Sequence, residues 1–105
     1  MDTEVRQILS ELRSGLEALY GDRLRHLILF GSQARGDAEP GSDIDVLAVL
    51  RGLGDEGERK RKLDVLYDLS VRYDTLVTCI LMDEDRFVHR NGPLLRNIRR
   101  EGIAI

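Results

Sequence analysis

The 105-residue chain contains one cysteine, has few aromatic side chains and shows no large excess of one charge. The single cysteine, Cys79, excludes an internal disulfide, and its place in the apolar run LVTCIL favours a buried thiol over a nucleophile. Sixteen Lys and Arg against nineteen Asp and Glu give a formal net charge of −3, which argues against general nucleic-acid binding. Neither histidine has a cysteine or histidine neighbour at zinc-ligand spacing, so a zinc site is not expected.

Long apolar runs are lacking as well. No segment approaches the length that a bilayer-spanning helix needs, and the opening residues MDTEVRQILSEL lack the basic leader of a signal peptide. The sequence also contains no internal repeat and no low-complexity segment. It therefore predicts a single domain over residues 1–105, in the cytoplasm and without membrane contact.

Apolar periodicity divides the chain into three main helices and three strands. The first helix has Thr3 as its N-cap and Gly21 as its terminator. Its apolar face is predicted to consist of Val5, Ile8, Leu9, Leu12, Leu16 and Leu19. Strands are predicted over residues 24–30, 44–50 and 74–81, further helices over 58–72 and from Pro93 to Gly102, and short helical turns over 32–35 and 83–88.

The second long helix, over residues 58–72, is predicted to bury Leu63, Leu66, Tyr67 and Ser70. Residues 103–105 are predicted to form a short apolar tail. The order helix, strand, strand, helix, strand, helix predicts an α+β fold in two layers. In it, helices pack against a small mixed sheet of three to four strands.

The segment LILFGSQARGDAEPGSDIDVLAVL is the most informative part of the chain, because it combines two kinds of signal. Gly31-Ser32 ends one predicted strand, where a glycine lets the backbone approach a phosphate and a serine offers both an amide and a hydroxyl. Ten residues later, Asp43 and Asp45 open the next strand. Side chains two residues apart in a strand lie on the same face, so the two carboxylates should converge and bind Mg²⁺. The alternative is a glycine-rich hairpin loop with two exposed aspartates.

A two-metal phosphoryl-transfer site needs a third carboxylate at a strand end on the same side of the sheet. Asp74 is the candidate because it opens the third predicted strand, although such a residue is also typical of a helix-to-strand turn. Its expected role is to help hold one metal ion and to activate the attacking hydroxyl. Asp43 and Asp45 would bridge two Mg²⁺ ions and the nucleotide phosphates. Asp64 and Asp68, four residues apart, are predicted to face solvent.

Basic residues provide weaker signals. Arg35, three residues after Ser32, can reach a triphosphate with its planar fork of donors, but an exposed loop arginine is an equal alternative. The run ERKRK at 58–62 and the arginines between Arg86 and Arg100 are typical of solvated helix faces. Contact with an acidic partner, or with nucleotide or RNA phosphates, is the functional alternative.

With these residues the chain resembles the minimal nucleotidyltransferases, a branch of the DNA polymerase β-like superfamily. The resemblance rests on LFGSQARGDAEPGSDIDVLAV, on YDTLVTCIL with Asp74, and on the terminal IRREGI, and it spans nearly the whole chain. It implies the nucleotidyltransferase fold, with helices on one face of the sheet, and transfer of a nucleotidyl group, usually AMP from ATP with Mg²⁺. By position, Gly31 and Ser32 would hold phosphate, and Asp43, Asp45 and Asp74 would hold metal.

Many small members of this family are antitoxins of HEPN-domain ribonuclease toxins, which they inactivate by adding AMP to a tyrosine. The resemblance therefore implies a HEPN toxin as the partner in a hetero-oligomer and a protein hydroxyl as the acceptor. Two other classes of function fit the same residues: a binding module that neutralises a partner by contact alone, and a nucleotidyltransferase that acts on RNA or a small molecule. Clustered carboxylates favour an enzyme, because a pure binder has no need for adjacent like charges.

Overall fold

The structure, a computed structural model, describes residues 2–105. Helices and strands alternate along most of this range, and a 3₁₀ turn at Gly21–Arg23 follows the first helix. The helices are α1 (Thr3–Tyr20), α2 (Ser32–Arg35), α3 (Glu56–Tyr73), α4 (Glu84–His89) and α5 (Pro93–Glu101). The strands are β1 (Leu24–Phe30), β2 (Ile44–Leu50), β3 (Val77–Asp83) and β4 (Ile103–Ala104). Between residues 2 and 105, no helix is both long enough and apolar enough to cross a membrane.

The four strands form one mixed sheet in the order β3-β2-β1-β4. β1 runs antiparallel to β2 and β4, whereas β3 runs parallel to β2. This confirms the α+β fold with a small mixed sheet, and the predicted apolar tail turns out to supply the fourth strand. In the register of the sheet, Asp45 lies between Phe30 of β1 and Thr78 of β3.

Both faces of the sheet are covered. Alternate residues of β1 and β2, such as Leu29 and Val46, pack against α1 and α3 in the larger core. The residues between them, such as Leu47 and Val49, contact Leu95 and Ile98 of α5 in a smaller core, which Phe87 of α4 borders. The expectation of helices on one face therefore holds for the two long helices only.

The two long helices differ from their predictions in detail. Asp2, not Thr3, caps α1, since its carboxylate accepts a hydrogen bond of 2.8 Å from the amide of Glu4. The predicted terminator Gly21 is confirmed as the C-cap of α1.

In α3 the prediction of the buried face was right for Leu66 but wrong for Leu63 and Tyr67, and Ser70 is half-buried. Leu66 and Leu69 are buried, whereas the Leu63 and Tyr67 side chains are 59% and 73% exposed. Contacts with α1 fix the rotation of α3 about its axis, because Arg72 and Tyr73 both bond the Glu11 carboxylate.

Cys79 packs against the larger core, and burial raises the pKa of its thiol to about 11. Since the thiolate is the reactive form, the folded protein should react slowly with iodoacetamide at neutral pH, and the rate should rise as the pH approaches 11. The measurement is the alkylation time course by mass spectrometry, with and without denaturant. Equal rates in the two conditions would contradict this prediction.

Candidate active site

Gly31 joins β1 to α2 and holds a backbone conformation that only glycine adopts readily. Its φ of 76° and ψ of −159° place it outside the regions open to residues with a Cβ. Its carbonyl accepts hydrogen bonds of 3.1 Å from the amides of Ala34 and Arg35, which starts the short helix. A Cβ at this position would lie 2.8 Å from Oδ2 of Asp45. Gly31 is therefore required both by the turn and by the approach of the loop to a carboxylate.

Ser32 is the first residue of α2, and the first amides of a helix have no acceptor within it. The helix is only four residues long and ends at Gly36, which adopts the left-handed conformation. This arrangement matches the predicted turn leaving the Gly-Ser step. Phosphate binding by Gly31 and Ser32 stays a prediction that the geometry permits.

The loop between α2 and β2 is organised around Ser42. The Ser42 hydroxyl accepts a hydrogen bond of 2.9 Å from the amide of Glu39, and its carbonyl accepts a longer one, 3.4 Å, from the Gln33 side chain. The next residue, Asp43, is exposed at the mouth of β2. These two hydrogen bonds hold the loop in place immediately before Asp43.

Asp45 is the residue of the site whose carboxylate is held in place by neighbouring residues. It lies in β2 on the same face as Leu47, while Ile44 and Val46 are buried in the larger core. Its Oδ1 accepts a hydrogen bond of 2.7 Å from the Thr78 hydroxyl, and its Oδ2 faces Gly31. Asp43 directly precedes β2, and strand alternation would place its side chain on the same side, so the convergence of the two carboxylates stays a prediction.

The structure does not bring Asp74 to this pair. β3 begins at Val77, so Asp74 is not its first residue; instead it caps the C-terminus of α3 with a left-handed φ of 50°. Within residues 2–105, no three acidic, histidine or cysteine side chains are grouped so as to hold a metal ion. The premise that Asp74 opens the third strand was wrong, because the chain first closes a helix-to-strand turn. That turn was the alternative considered for it.

The residue beside Asp45 on the neighbouring strand is Thr78. The parallel register pairs the two residues, and in-register neighbours place their side chains on the same face. Sequence reasoning missed Thr78 because strand register is not visible in a single chain. The one available signal is a polar residue inside the apolar strand VTCILM.

Arg35 is already engaged with two carboxylates. Its guanidinium lies 3.2 Å from Asp37 and 3.8 Å from Glu101, at the end of α5, and its side chain is 44% exposed. Exposed pairs of this kind contribute little to stability, so a triphosphate can compete for the guanidinium. Phosphate binding by Arg35 stays a prediction.

A cavity of about 480 Å³ lies beside the same loop, between it and the start of α1. Its lining includes Ser42 and Ile44 but neither Asp43 nor Asp45. The carboxylates therefore face away from this cavity, on the α5 side of the sheet.

The donor set fits Mg²⁺ when the substrate supplies further ligands. Asp43, directly before β2, and Asp45, within it, provide hard oxygen atoms, and Mg²⁺ is typically held by one or two carboxylates plus phosphates and water. Asp45 is already oriented by Thr78, which leaves the exposed Asp43 free to adjust. Asp43 and Asp45 would hold the ion, and the Gly31-Ser32 loop, which lies against Asp45, would bind a phosphate of the substrate.

The chain is similar in sequence to known proteins. A family model described as a nucleotidyltransferase domain matches residues 7–103. Two Methanocaldococcus jannaschii proteins named as proposed protein adenylyltransferases are similar in sequence. One is 34% identical over 95 residues, which cover 90% of each chain. The other is 32% identical over 78 residues, which cover 74% of this chain and 79% of the relative.

Solved structures share the fold. One described as a proposed minimal nucleotidyltransferase gives a TM-score of 0.64 at 24% identity, covering 100% of this chain and 97% of the other. A toxin–antitoxin complex with AMP-PNP gives 0.62 at 22% identity, covering 98% and 72%. The tri-AMPylated Shewanella oneidensis HEPN toxin in complex with MNT antitoxin gives 0.54 at 20% identity, covering 96% and 67%.

Proposed function

The chain belongs to the nucleotidyltransferase domain family, and from this premise we propose that it transfers AMP from ATP, with Mg²⁺, to a tyrosine hydroxyl of a HEPN-domain toxin, acting as the antitoxin. The observation that carries the proposal is the contact between the two halves of the site. A Cβ added at Gly31 would lie only 2.8 Å from Oδ2 of Asp45, so the Gly31-Ser32 loop and the carboxylate strand are in close contact.

Each half has its own task in the transfer. The amides at the start of α2 and the Ser32 hydroxyl bind the β- and γ-phosphates, while Asp43 and Asp45 provide the carboxylates for Mg²⁺. When bound, Mg²⁺ neutralises charge that develops on the phosphates. The acceptor hydroxyl then loses its proton to water as its oxygen forms a bond to the α-phosphorus, the bond from phosphorus to the bridging oxygen breaks, and that oxygen leaves as part of pyrophosphate. Positioning and electrostatic stabilisation supply most of the acceleration.

A protein acceptor is supported by the architecture of the described residues. From residue 2 to residue 105 the helices pack on one sheet, and this part of the chain adds no second domain to hold a separate acceptor. The names of the M. jannaschii relatives refer to protein adenylylation, and a solved neighbour is a complex with an AMP-modified HEPN toxin. Together these favour an acceptor supplied by a partner protein.

Mass spectrometry of a HEPN-domain protein, taken from the same genome and co-expressed with this chain, tests the proposal. The expected result is one or more AMP adducts on a tyrosine of the HEPN protein. The control is co-expression with the Asp43→Asn, Asp45→Asn double variant, which should give no adduct. A neutralised but unmodified toxin would instead favour a contact mechanism, and adducts on RNA or a small molecule would identify a different acceptor.

Thr78 should act by orienting Asp45. Replacing it with valine keeps the shape but removes the hydroxyl, and a hydrogen bond to a charged group is worth about 1.5–3 kcal/mol. We expect Thr78→Val to raise the Mg²⁺ concentration needed for half-maximal transfer by about tenfold or more, since about 1.4 kcal/mol corresponds to a factor of ten. Thr78→Ser, which keeps the hydroxyl, is the matched control. An unchanged Mg²⁺ dependence in Thr78→Val would refute this role.

A further inference from the structure

One face of α3 exposes an apolar row that the fold does not use. Leu63, Tyr67 and Val71 are 59%, 73% and 60% exposed, and their spacing of four residues places them on the same side of the helix. The buried residues Leu66 and Leu69 face the sheet instead. The helix thus has a second apolar row, which points to solvent in the single chain.

The apolar row is flanked by two charged residues of opposite sign, one at each end. Lys60 lies three residues before Leu63, and Asp74 lies three residues after Val71. No ion pair within residues 2–105 involves either of them. We call the set Lys60, Leu63, Tyr67, Val71 and Asp74 the α3 stripe.

Asp74 has the sign that the helix dipole disfavours at the C-terminus of α3, whereas Lys60, the fifth residue of α3, lies beyond the first turn. The helix dipole favours anions near the N-terminus and cations near the C-terminus. Lys60 lies in the N-terminal part of α3, and Asp74 is the residue that caps its C-terminus. A partner that brings a carboxylate to Lys60 and a cation to Asp74 would neutralise both charges.

The spacing of the α3 stripe is symmetric about Tyr67. Leu63 and Val71 lie four residues to either side of it, and Lys60 and Asp74 lie seven residues to either side. If two copies of α3 pack antiparallel about a two-fold axis at Tyr67, Leu63 meets Val71 of the second copy and Lys60 meets Asp74 of the second copy. An interface between identical chains must be self-complementary in this way.

We propose that the α3 stripe binds a second copy of this chain through an antiparallel α3–α3 pair. Apolar packing at the centre excludes water, and the two Lys60–Asp74 pairs at the ends fix the antiparallel direction. The stripe runs over 15 residues from Lys60 to Asp74, about 21 Å at a rise of 1.5 Å for each of the 14 steps, which is a short interface. The dimer should therefore dissociate on dilution. Asp74, which belongs to no group of three potential metal ligands among residues 2–105, has a role at this dimer interface.

Sedimentation velocity over a range of concentrations tests the dimer. The wild-type chain should show a concentration-dependent shift from monomer to dimer. Tyr67→Glu should remain monomeric, because it places two carboxylates at the centre of the interface. Gln7→Glu, an equal charge change on the exposed side of α1, should dimerise like the wild type. A wild-type chain that stays monomeric at all concentrations would overturn the proposal and leave the stripe to a different partner.

Charge exchange tests the antiparallel pairing itself. Lys60→Glu and Asp74→Lys should each dimerise weakly, because each variant alone brings like charges together at both ends. An equimolar mixture of the two should form a heterodimer in which both end pairs have opposite charges. Circular dichroism checks that each variant is folded before mixing. A mixture that behaves as the sum of its components would contradict the antiparallel arrangement, whether or not the chain transfers AMP.

Discussion

The double variant Asp43→Asn, Asp45→Asn is expected to lose nucleotidyl transfer by at least on the order of a thousandfold while keeping its fold. A metal ion bound to a phosphoryl group supplies several kcal/mol of transition-state stabilisation, and each 1.4 kcal/mol corresponds to a factor of ten in rate. Neutral amide oxygens bind Mg²⁺ much more weakly than carboxylates, because they carry no negative charge. Because Asp43 is exposed and Asp45 makes one hydrogen bond to Thr78, the fold should tolerate both changes.

A matched variant separates this effect from a general change of charge. Asp22→Asn with Asp85→Asn also removes two negative charges, at exposed positions outside the site. It should transfer AMP at the wild-type rate. Circular dichroism and thermal unfolding of both variants show whether the fold is retained. Comparable transfer by the Asp43, Asp45 variant and this control would rule out the carboxylate pair as the reactive centre.

Gly31→Ala is expected to damage both stability and transfer. The alanine would have to adopt a backbone region that is essentially restricted to glycine, at a cost of about 1–3 kcal/mol. Its Cβ would also meet Oδ2 of Asp45 at 2.8 Å, so the carboxylate must move away from the position that Thr78 gives it. We therefore expect a lower free energy of unfolding together with a loss of transfer of at least about tenfold.

Gly36→Ala provides the comparison for this variant, because Gly36 also has a positive φ, 83°, at the other end of α2. A Cβ there would have open space around it. The only expected cost of the substitution is therefore that of holding an alanine in the left-handed conformation, about 1–2 kcal/mol. Denaturant unfolding and transfer assays of both variants distinguish the two costs. If Gly36→Ala impairs transfer as much as Gly31→Ala does, the contact with Asp45 has no special importance.

Local sequence signals determined much of the fold. The predicted bounds of β1, β2 and α2 agree with the structure, because continuous apolar runs flanked by Gly31, Gly36 and Gly41 leave few alternatives. The loop between β1 and β2 joins Gly31-Ser32 to Asp43 and Asp45 directly along the chain. No contact between distant segments is needed to predict that these residues are neighbours. The part of the site that lies on one continuous segment was therefore accessible from the sequence.

Features that depend on contacts between distant segments could not be predicted from the sequence. The buried side of α3 depends on its packing against α1, and the pattern of Leu63, Leu66 and Tyr67 fits two rotations of the helix equally well. The position of Asp74 depends on where α3 stops. Thr78 becomes visible only when β3 is placed in register with β2.

The central claim is that Gly31-Ser32 together with Asp43 and Asp45 transfers the nucleotidyl group of ATP. The most direct measurement uses two samples of ATP, one labelled on the α-phosphate and one on the γ-phosphate, with the purified chain, Mg²⁺ and a HEPN-domain acceptor protein. The account predicts that the α-label is incorporated into the acceptor, that the γ-label is not, and that EDTA stops incorporation. Incorporation of the γ-label, or α-label transfer that persists in the Asp43→Asn, Asp45→Asn variant, would contradict it.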